Sequence, residues 1–203
     1  MQTIAIIDYG MGNVRSVQKA IEYVAPNDHC VLTDNLNIIA EADRVVFPGQ
    51  GAMGACMNAL NEHKLNEVIK KAAKEKPFLG ICLGLQLLFD FSEENNGTKG
   101  LSIIPGNVIK FKNNQLKIPH MGWNKVKQVI NHPLWSKIED NSRFYSVHSY
   151  YVKENNKSYV TGTTEYGIKF TSAVAIGKLF AVQFHPEKSQ KDGLQLLKNF
   201  TNW

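Results

Sequence analysis

Ten residues, Pro77-Phe78-Leu79-Gly80-Ile81-Cys82-Leu83-Gly84-Leu85-Gln86, constrain the fold more than any other part of the chain. A short apolar run ends in Gly-x-Cys-x-Gly, and an apolar pattern at helical spacing follows at once. Such a pattern calls for a strand that turns abruptly into a helix, with Cys82 on the turn. Glycine is needed on both sides because a Cβ there would collide with neighbouring backbone. The side chain at 82 then stands at a helix N-terminus, where the aligned peptide dipoles favour an anion. This is the nucleophile-elbow pattern with sulfur in place of the serine oxygen, and Cys82 is the candidate nucleophile.

A nucleophile needs a base. His185 ends the strand-like run Ala181-Val182-Gln183-Phe184-His185-Pro186-Glu187, and Glu187 lies two residues on. In an extended segment both side chains would point the same way. A carboxylate so placed can hold the imidazole in one tautomer and stabilise its cation. Cys82, His185 and Glu187 are thus a candidate triad. Taken singly, a cysteine is more often a small core hydrophobe and a histidine after a strand more often structural. The conjunction of elbow glycines, helix start and His-x-Glu at a strand end favours catalysis.

The 203 residues, 43% hydrophobic and 20% charged, suit one soluble globular domain spanning 1–203. No apolar run approaches the ~20 residues of a membrane span. The first residues, Met1 to Asp8, read as a strand rather than a signal peptide. Three cysteines, Cys30, Cys56 and Cys82, are too few and too odd for a disulfide framework and point to a reducing cytoplasm. The net charge of +5 comes largely from scattered lysines, without an arginine cluster or aromatic-interleaved stripe, so nucleic-acid binding finds little support. The six histidines show no metal-type spacing, and no Cys-x-x-Cys occurs; neither a metal nor a cofactor is expected.

Strands are expected at Thr3-Ile7, Cys30-Thr33, Arg44-Phe47 and Pro77-Ile81, and helices at Val14 to Val24, Ala52 to Leu60, Leu65 to Lys74 and Leu83 to Phe91. This alternation predicts an α/β fold, a mostly parallel flavodoxin-like sheet with helices on both faces. Ligands in such sheets sit beyond the carboxyl ends of the strands, where Asp8-Asn13, Pro48-Gly51 and Cys82 fall. Further on, Asn107-Phe111, Trp123-Val129, Arg143-Val152, Tyr159-Glu165, Lys169-Ile176 and Leu179-Phe184 predict an antiparallel extension. Ser189-Gln190-Lys191-Asp192 reads as a capping box opening a last helix, Gly193 to Phe200.

Pro48-Gly49-Gln50-Gly51 follows the third strand, and its glycines free the backbone to aim N–H groups at an oxyanion. A plain turn is the bland alternative. The candidate donors are the N–H of Gln50 and that of Leu83, the residue after the nucleophile. Gln86 lies one helical turn beyond Cys82 on the same face, and a polar amide among leucines must be satisfied by substrate or by structure. Gly10-Met11-Gly12 matches a phosphate loop only weakly. Pro119-His120-Met121-Gly122-Trp123-Asn124 gathers special residues as a surface patch for a partner would.

These motifs resemble those of the triad glutamine amidotransferases: Gly-Ile-Cys-Leu-Gly-Leu-Gln at 80–86, the segment at 48–51, and Phe-His-Pro-Glu at 184–187. Asp-Tyr-Gly-Met-Gly-Asn at 8–13, Pro-His-Met-Gly-Trp-Asn at 119–124, Val-His-Ser-Tyr at 147–150 and His-Pro-Glu-Lys-Ser at 185–189 are similar to the glutaminase subunits of imidazole glycerol phosphate synthases. The likeness covers essentially the whole chain; one departure is Gln50, where that family often has Val. It implies that Cys82 attacks the side-chain amide of L-glutamine, with His185 as base and Glu187 orienting it. It implies that Gly51, Gln86, Glu94, Ser149 and Tyr150 hold the glutamine. It also implies a heterodimer with a (β/α)₈-barrel cyclase, to which ammonia is channelled in histidine biosynthesis, with Met11, Asn13, Trp123 and Lys188 near the docking face. The glycines Gly49 and Gly51 suggest an oxyanion hole completed only when that partner is occupied. Rival expectations are a glutaminase serving a paralogous synthase such as a sugar amidation system, a non-catalytic regulatory subunit, and a cysteine peptidase.

Overall fold

The structure is a computed structural model that describes residues 1–112 and 116–203. Its first half alternates strand and helix: β1 (Thr3–Ile7), α1 (Val14–Val24), β2 (His29–Thr33), α2 (Leu36–Glu41), β3 (Arg44–Gly49), α3 (Met53–Glu62), α4 (Asn66–Glu75), β4 (Phe78–Cys82) and α5 (Leu83–Leu87). Then come β5 (Phe89–Ser92), β6 (Thr98–Lys99), β7 (Ile104–Lys110), β8 (His120–Lys125), β9 (Lys127–Gln128), β10 (Arg143–His148), β11 (Tyr150–Glu154), β12 (Val160–Glu165), β13 (Lys169–Ile176) and β14 (Leu179–Val182). The last helix is α6 (Gln190–Thr201).

A 12-stranded sheet carries the fold in the order β2-β1-β3-β4-β14-β13-β11-β7-β5-β6, with β12 beside β13 and β9 beside β12. From β2 to β14 every neighbour is parallel, and beyond β14 the pairs are antiparallel except for β5 beside β7, which is parallel. Period-two alternation separates the two faces. Ala5, Ile7, Val45 and Phe47 meet α2, α3, α4 and α5, while Ile4, Ile6, Val46, Leu79 and Ile81 meet α1 and α6. On α1, Val14, Val17, Ala20 and Ile21 form the buried stripe expected of an amphipathic helix. Each fully buried Val, Leu, Ile or Phe contributes about 1.5–3 kcal/mol from burial. No helix among the described residues is long and apolar enough to cross a membrane.

Four expectations need correction. The helix after Cys82 stops at Leu87, and Phe89–Ser92 turns back into the sheet as a strand; Phe89-Asp90-Phe91-Ser92 alternates apolar and polar, the period of a strand rather than of a helix. The expected strand Arg143-Val152 is two strands in two sheets: β10 pairs with β8 in a separate two-stranded sheet, whereas β11 joins the large one. β14 belongs to the parallel half, next to β4, as well as pairing antiparallel with β13. Ser189 occupies the N-cap of α6 without capping it: its Oγ donates to the His185 carbonyl at 2.6 Å and accepts from Tyr145 N–H at 2.9 Å.

Candidate active site

The register of β4 against β14 builds the site. Ile81 pairs with Val182 in parallel, so Cys82 and the segment Gln183 to His185 leave the sheet side by side at its carboxyl edge. Cys82 has φ +56° and ψ −111°, and α5 begins at the next residue. Such a conformation costs a non-glycine residue about 1–3 kcal/mol and recurs at functional turns. The glycines around it are set by space. A Cβ on Gly84 would lie 1.9 Å from the Phe47 carbonyl oxygen, and one on Gly80 would lie 2.9 Å from Ala181 Cβ.

His185 Nδ1 and Glu187 Oε1 are 2.8 Å apart, with side chains 7% and 2% exposed. The backbone between them is a 3₁₀ turn, Pro186–Lys188, rather than the extended segment expected from the sequence. The pairing therefore arises across a turn. His185 Nε2 is buried and has no hydrogen-bond partner. Burial disfavours charge on this ring, but the Cys82 sulfur and Glu187 outweigh it and push its pKa up to about 10. The same two groups favour the protonated form of the ring.

A cavity of about 280 Å³ opens at Cys82 and His185. Leu83 and Gln86 line it from α5, Gln50 and Gly51 from the end of β3, and Glu94, Ser149 and Tyr150 from the opposite side. Every catalytic, oxyanion and substrate-binding residue expected from the sequence thus borders this space, save Glu187, which stands behind His185. Glu94 has one oxygen engaged: Oε2 accepts from Met53 N–H, at the start of α3, at 2.7 Å. Among the described residues no group of three His, Cys, Asp or Glu side chains is arranged to hold a metal.

The segment 48–51 is held from behind. Tyr9 Oη donates to the Pro48 carbonyl at 3.1 Å, and Cys56 Sγ to the Gln50 carbonyl at 3.6 Å. Burial pushes the Cys56 thiol up, which keeps it a donor. Gly51 has φ +102°, but Gly49 is glycine for want of room: a Cβ would lie 2.9 Å from Gly84 N and from Tyr9 Oη.

Four residues expected at a partner interface lie off the cavity lining. Trp123 is 44% exposed on β8 beside Met121 at 57%. Asn13 is exposed at the start of α1, Met11 packs partly into the core near Gly51, and Lys188 ends the turn that carries Glu187.

Several site residues went unassigned in the sequence. His148 borders the cavity, its Nδ1 donating to the Tyr150 carbonyl at 2.7 Å. Its Nε2 must then accept, from His120 Nδ1 at 3.0 Å, and Asn124 Nδ2 supplies His120 Nε2 at 3.2 Å. Gln86 Nε2 donates to the same Tyr150 carbonyl at 3.2 Å and to Gln183 Oε1 at 3.0 Å. A polar glutamine inside the otherwise apolar run 181–184 was the available signal for Gln183; nothing local marks the distant pairing of His120 with His148.

Known proteins match this architecture closely. The family model described as Glutamine amidotransferase class-I matches residues 5–203. "Imidazole glycerol phosphate synthase subunit HisH" of Thiobacillus denitrificans is 55% identical, covering 98% of this chain and 91% of that protein. The protein of the same name from Pseudomonas syringae pv. syringae is 48% identical over 100% and 98% of the two chains. The chain belongs to the class-I glutamine amidotransferases, in their HisH family. The amidotransferase fold is also that of solved structures with little sequence in common. PurLQS from Thermotoga maritima superposes with a TM-score of 0.77 at 18% identity, covering 100% and 99% of the chains. A glutamine amidotransferase from the same organism superposes with a TM-score of 0.64 at 21% identity, covering 92% and 76%.

Proposed function

We propose that this HisH-family chain is the glutamine-hydrolysing subunit of an imidazole glycerol phosphate synthase and that Cys82, His185 and Glu187 do the chemistry. The observation that carries the reading is a strained cysteine and a carboxylate-held imidazole lining one cavity of about 280 Å³. The sulfur attacks the side-chain carbonyl carbon of L-glutamine. The oxygen takes up the negative charge, facing the N–H groups of Gln50 and Leu83. His185 gives its proton to the departing nitrogen, and ammonia leaves a glutamyl thioester. Water, deprotonated by His185, then breaks the C–S bond and restores the thiolate, releasing glutamate.

Gln86 has its amide N–H groups committed to Tyr150 and Gln183, which leaves Oε1 for the ammonium group of the substrate. Ser149, Tyr150, Gly51 and Glu94 complete the glutamine site. The exposed Met121 and Trp123, with Met11, Asn13 and Lys188, form the face for a (β/α)₈-barrel cyclase in a heterodimer. A dry passage between the two proteins keeps ammonia unprotonated and nucleophilic.

The deciding experiment combines the chain with its cognate cyclase and follows glutamate release and cyclase product together. Glutamine-driven synthesis that Cys82→Ala abolishes, with synthesis from added ammonium salts intact, supports the reading. Glutamate release that survives Cys82→Ala refutes it. Equal glutamine hydrolysis with and without the ligand-occupied partner would remove the gated oxyanion hole from the scheme.

A further inference from the structure

The Cys82 sulfur has a hydrogen-bond partner outside the triad. Gln183 is 1% exposed, follows β14 directly, and has its backbone N–H fixed to the Ser172 carbonyl at 2.9 Å. Its Nε2 lies 3.9 Å from Cys82 Sγ. The sulfur thus has a donor from Gln183 beside the His185 ring that polarises it.

The direction of that bond is fixed from outside the amide. The Tyr150 carbonyl can only accept, so Gln86 must turn its NH₂ group toward it. The same NH₂ group lies 3.0 Å from Gln183, which must therefore present its oxygen to Gln86. Gln183 is left with its NH₂ group on the sulfur. A flipped Gln183 would set two NH₂ groups against each other and point a carbonyl oxygen at an anion. The anchoring carbonyl is itself held by His148 Nδ1 at 2.7 Å. Two buried amides thus transmit the polarity of one backbone carbonyl to the reacting atom.

We propose that Gln183 is a catalytic residue: its side-chain N–H stabilises the Cys82 sulfur whenever that atom is an anion. This rests on the glutaminase reading above. The sulfur is an anion before it attacks and again when the thioester breaks. A donor aimed at it maintains the nucleophile and eases departure of the thiolate in the hydrolytic step. The N–H is not consumed and moves no proton, so the stoichiometry of the reaction is unchanged.

Two variants of the full chain, assayed with its cyclase partner, separate this role from packing. Gln183→Met fills the same space without a donor. Gln183→Glu keeps an acceptor for Gln86 but turns an anionic oxygen toward the sulfur. A donor role predicts that kcat for glutamate release falls roughly tenfold in Gln183→Met, the worth of one hydrogen bond to a charged group, and further in Gln183→Glu. The KM for glutamine stays within about twofold, and the His185 imidazole, followed by NMR, titrates at lower pH in Gln183→Met than in wild type. A purely structural role predicts the reverse order, with Gln183→Glu the more active because it preserves the bond to Gln86. That order, or a Gln183→Met enzyme with wild-type kcat and an unmoved His185 titration, overturns the proposal. If Gln183→Met lowers the melting temperature enough to unfold the site, Gln183→Asn, which withdraws the donor from the sulfur without adding charge, serves in its place. Wild-type chain that fails to label at Cys82 with a glutamine-like chloroketone would instead refute the glutaminase reading.

Discussion

His120 and His148 face each other at directly opposed positions of β8 and β10, with Nδ1 of the first 3.0 Å from Nε2 of the second. Both are buried, and burial lowers their pKa values to about 4 and about 3. The pair is neutral in the fold. In the unfolded chain each takes up a proton near pH 6.5. Below that pH the unfolded state binds more protons than the native state, so stability falls as pH is lowered from about 6.5 toward 4. Each such histidine contributes at most about 1.4 kcal/mol of lost stability per pH unit. Urea unfolding at pH 7, 6 and 5 should show the fall. His148→Gln, which cannot titrate, should make it shallower by up to one proton; an unchanged slope would place the acid sensitivity elsewhere.

The backbone at Cys82 predicts an unusual pair of stabilities. With φ at +56°, any side chain is strained, and glycine is not. Cys82→Gly should therefore melt above Cys82→Ala although it loses more atoms. A difference of about 1 kcal/mol corresponds to roughly 2–4 °C for a chain of this size. Differential scanning calorimetry of the two inactive variants decides the matter.

Glu187 is the charge behind the base. Glu187→Gln keeps the shape but removes the anion that helps hold His185 protonated. Glutamate release should drop by about 10²–10⁴, the range of a general acid–base contribution. Synthesis from ammonium salts in the complex should be unaffected. A variant that lost both would show that Glu187 supports the fold instead.

Tyr9 donates to the Pro48 carbonyl, at the head of the segment that ends in Gly51. Tyr9→Phe removes this buried hydrogen bond and should cost about 0.5–1.5 kcal/mol of stability. Because the segment loses a tether, kcat should change more than KM. Denaturant midpoints and steady-state kinetics on the same sample test both halves.

Much of this molecule was legible before any coordinates. The elbow around Cys82 could be read because its signature, glycines at 80 and 84 about the cysteine between an apolar run and a helical pattern, is contiguous in the sequence, even though the atoms those glycines avoid lie on β3 and β14. β1, β3 and β4 were readable for a similar reason, since strands buried on both faces are short apolar runs between helices. What failed depended on partners far away in sequence. The stretch Phe89 to Ser92 becomes a strand because β7 pairs with it, a partner the apolar pattern running on from α5 does not reveal. The break at Ser149 follows from two sheets competing for one stretch of chain. His185 and Glu187 were matched correctly by their two-residue spacing, but through a turn rather than an extended strand. Gln183 is legible as an anomaly, and its role emerges only once Gln86, 97 residues earlier, stands against it.

The two-sheet arrangement has a mechanical consequence for the triad. Cys82 ends β4 in the large sheet, whereas the backbone N–H of His185 is bonded to the Tyr145 carbonyl on β10, in the small one. The base therefore has two supports: β14 of the large sheet, which it follows, and β10 of the small one, to which its backbone N–H is bonded. The exposed side chains of β8, Met121 and Trp123, are thus linked to the base through the β8–β10 ladder, and not to the nucleophile.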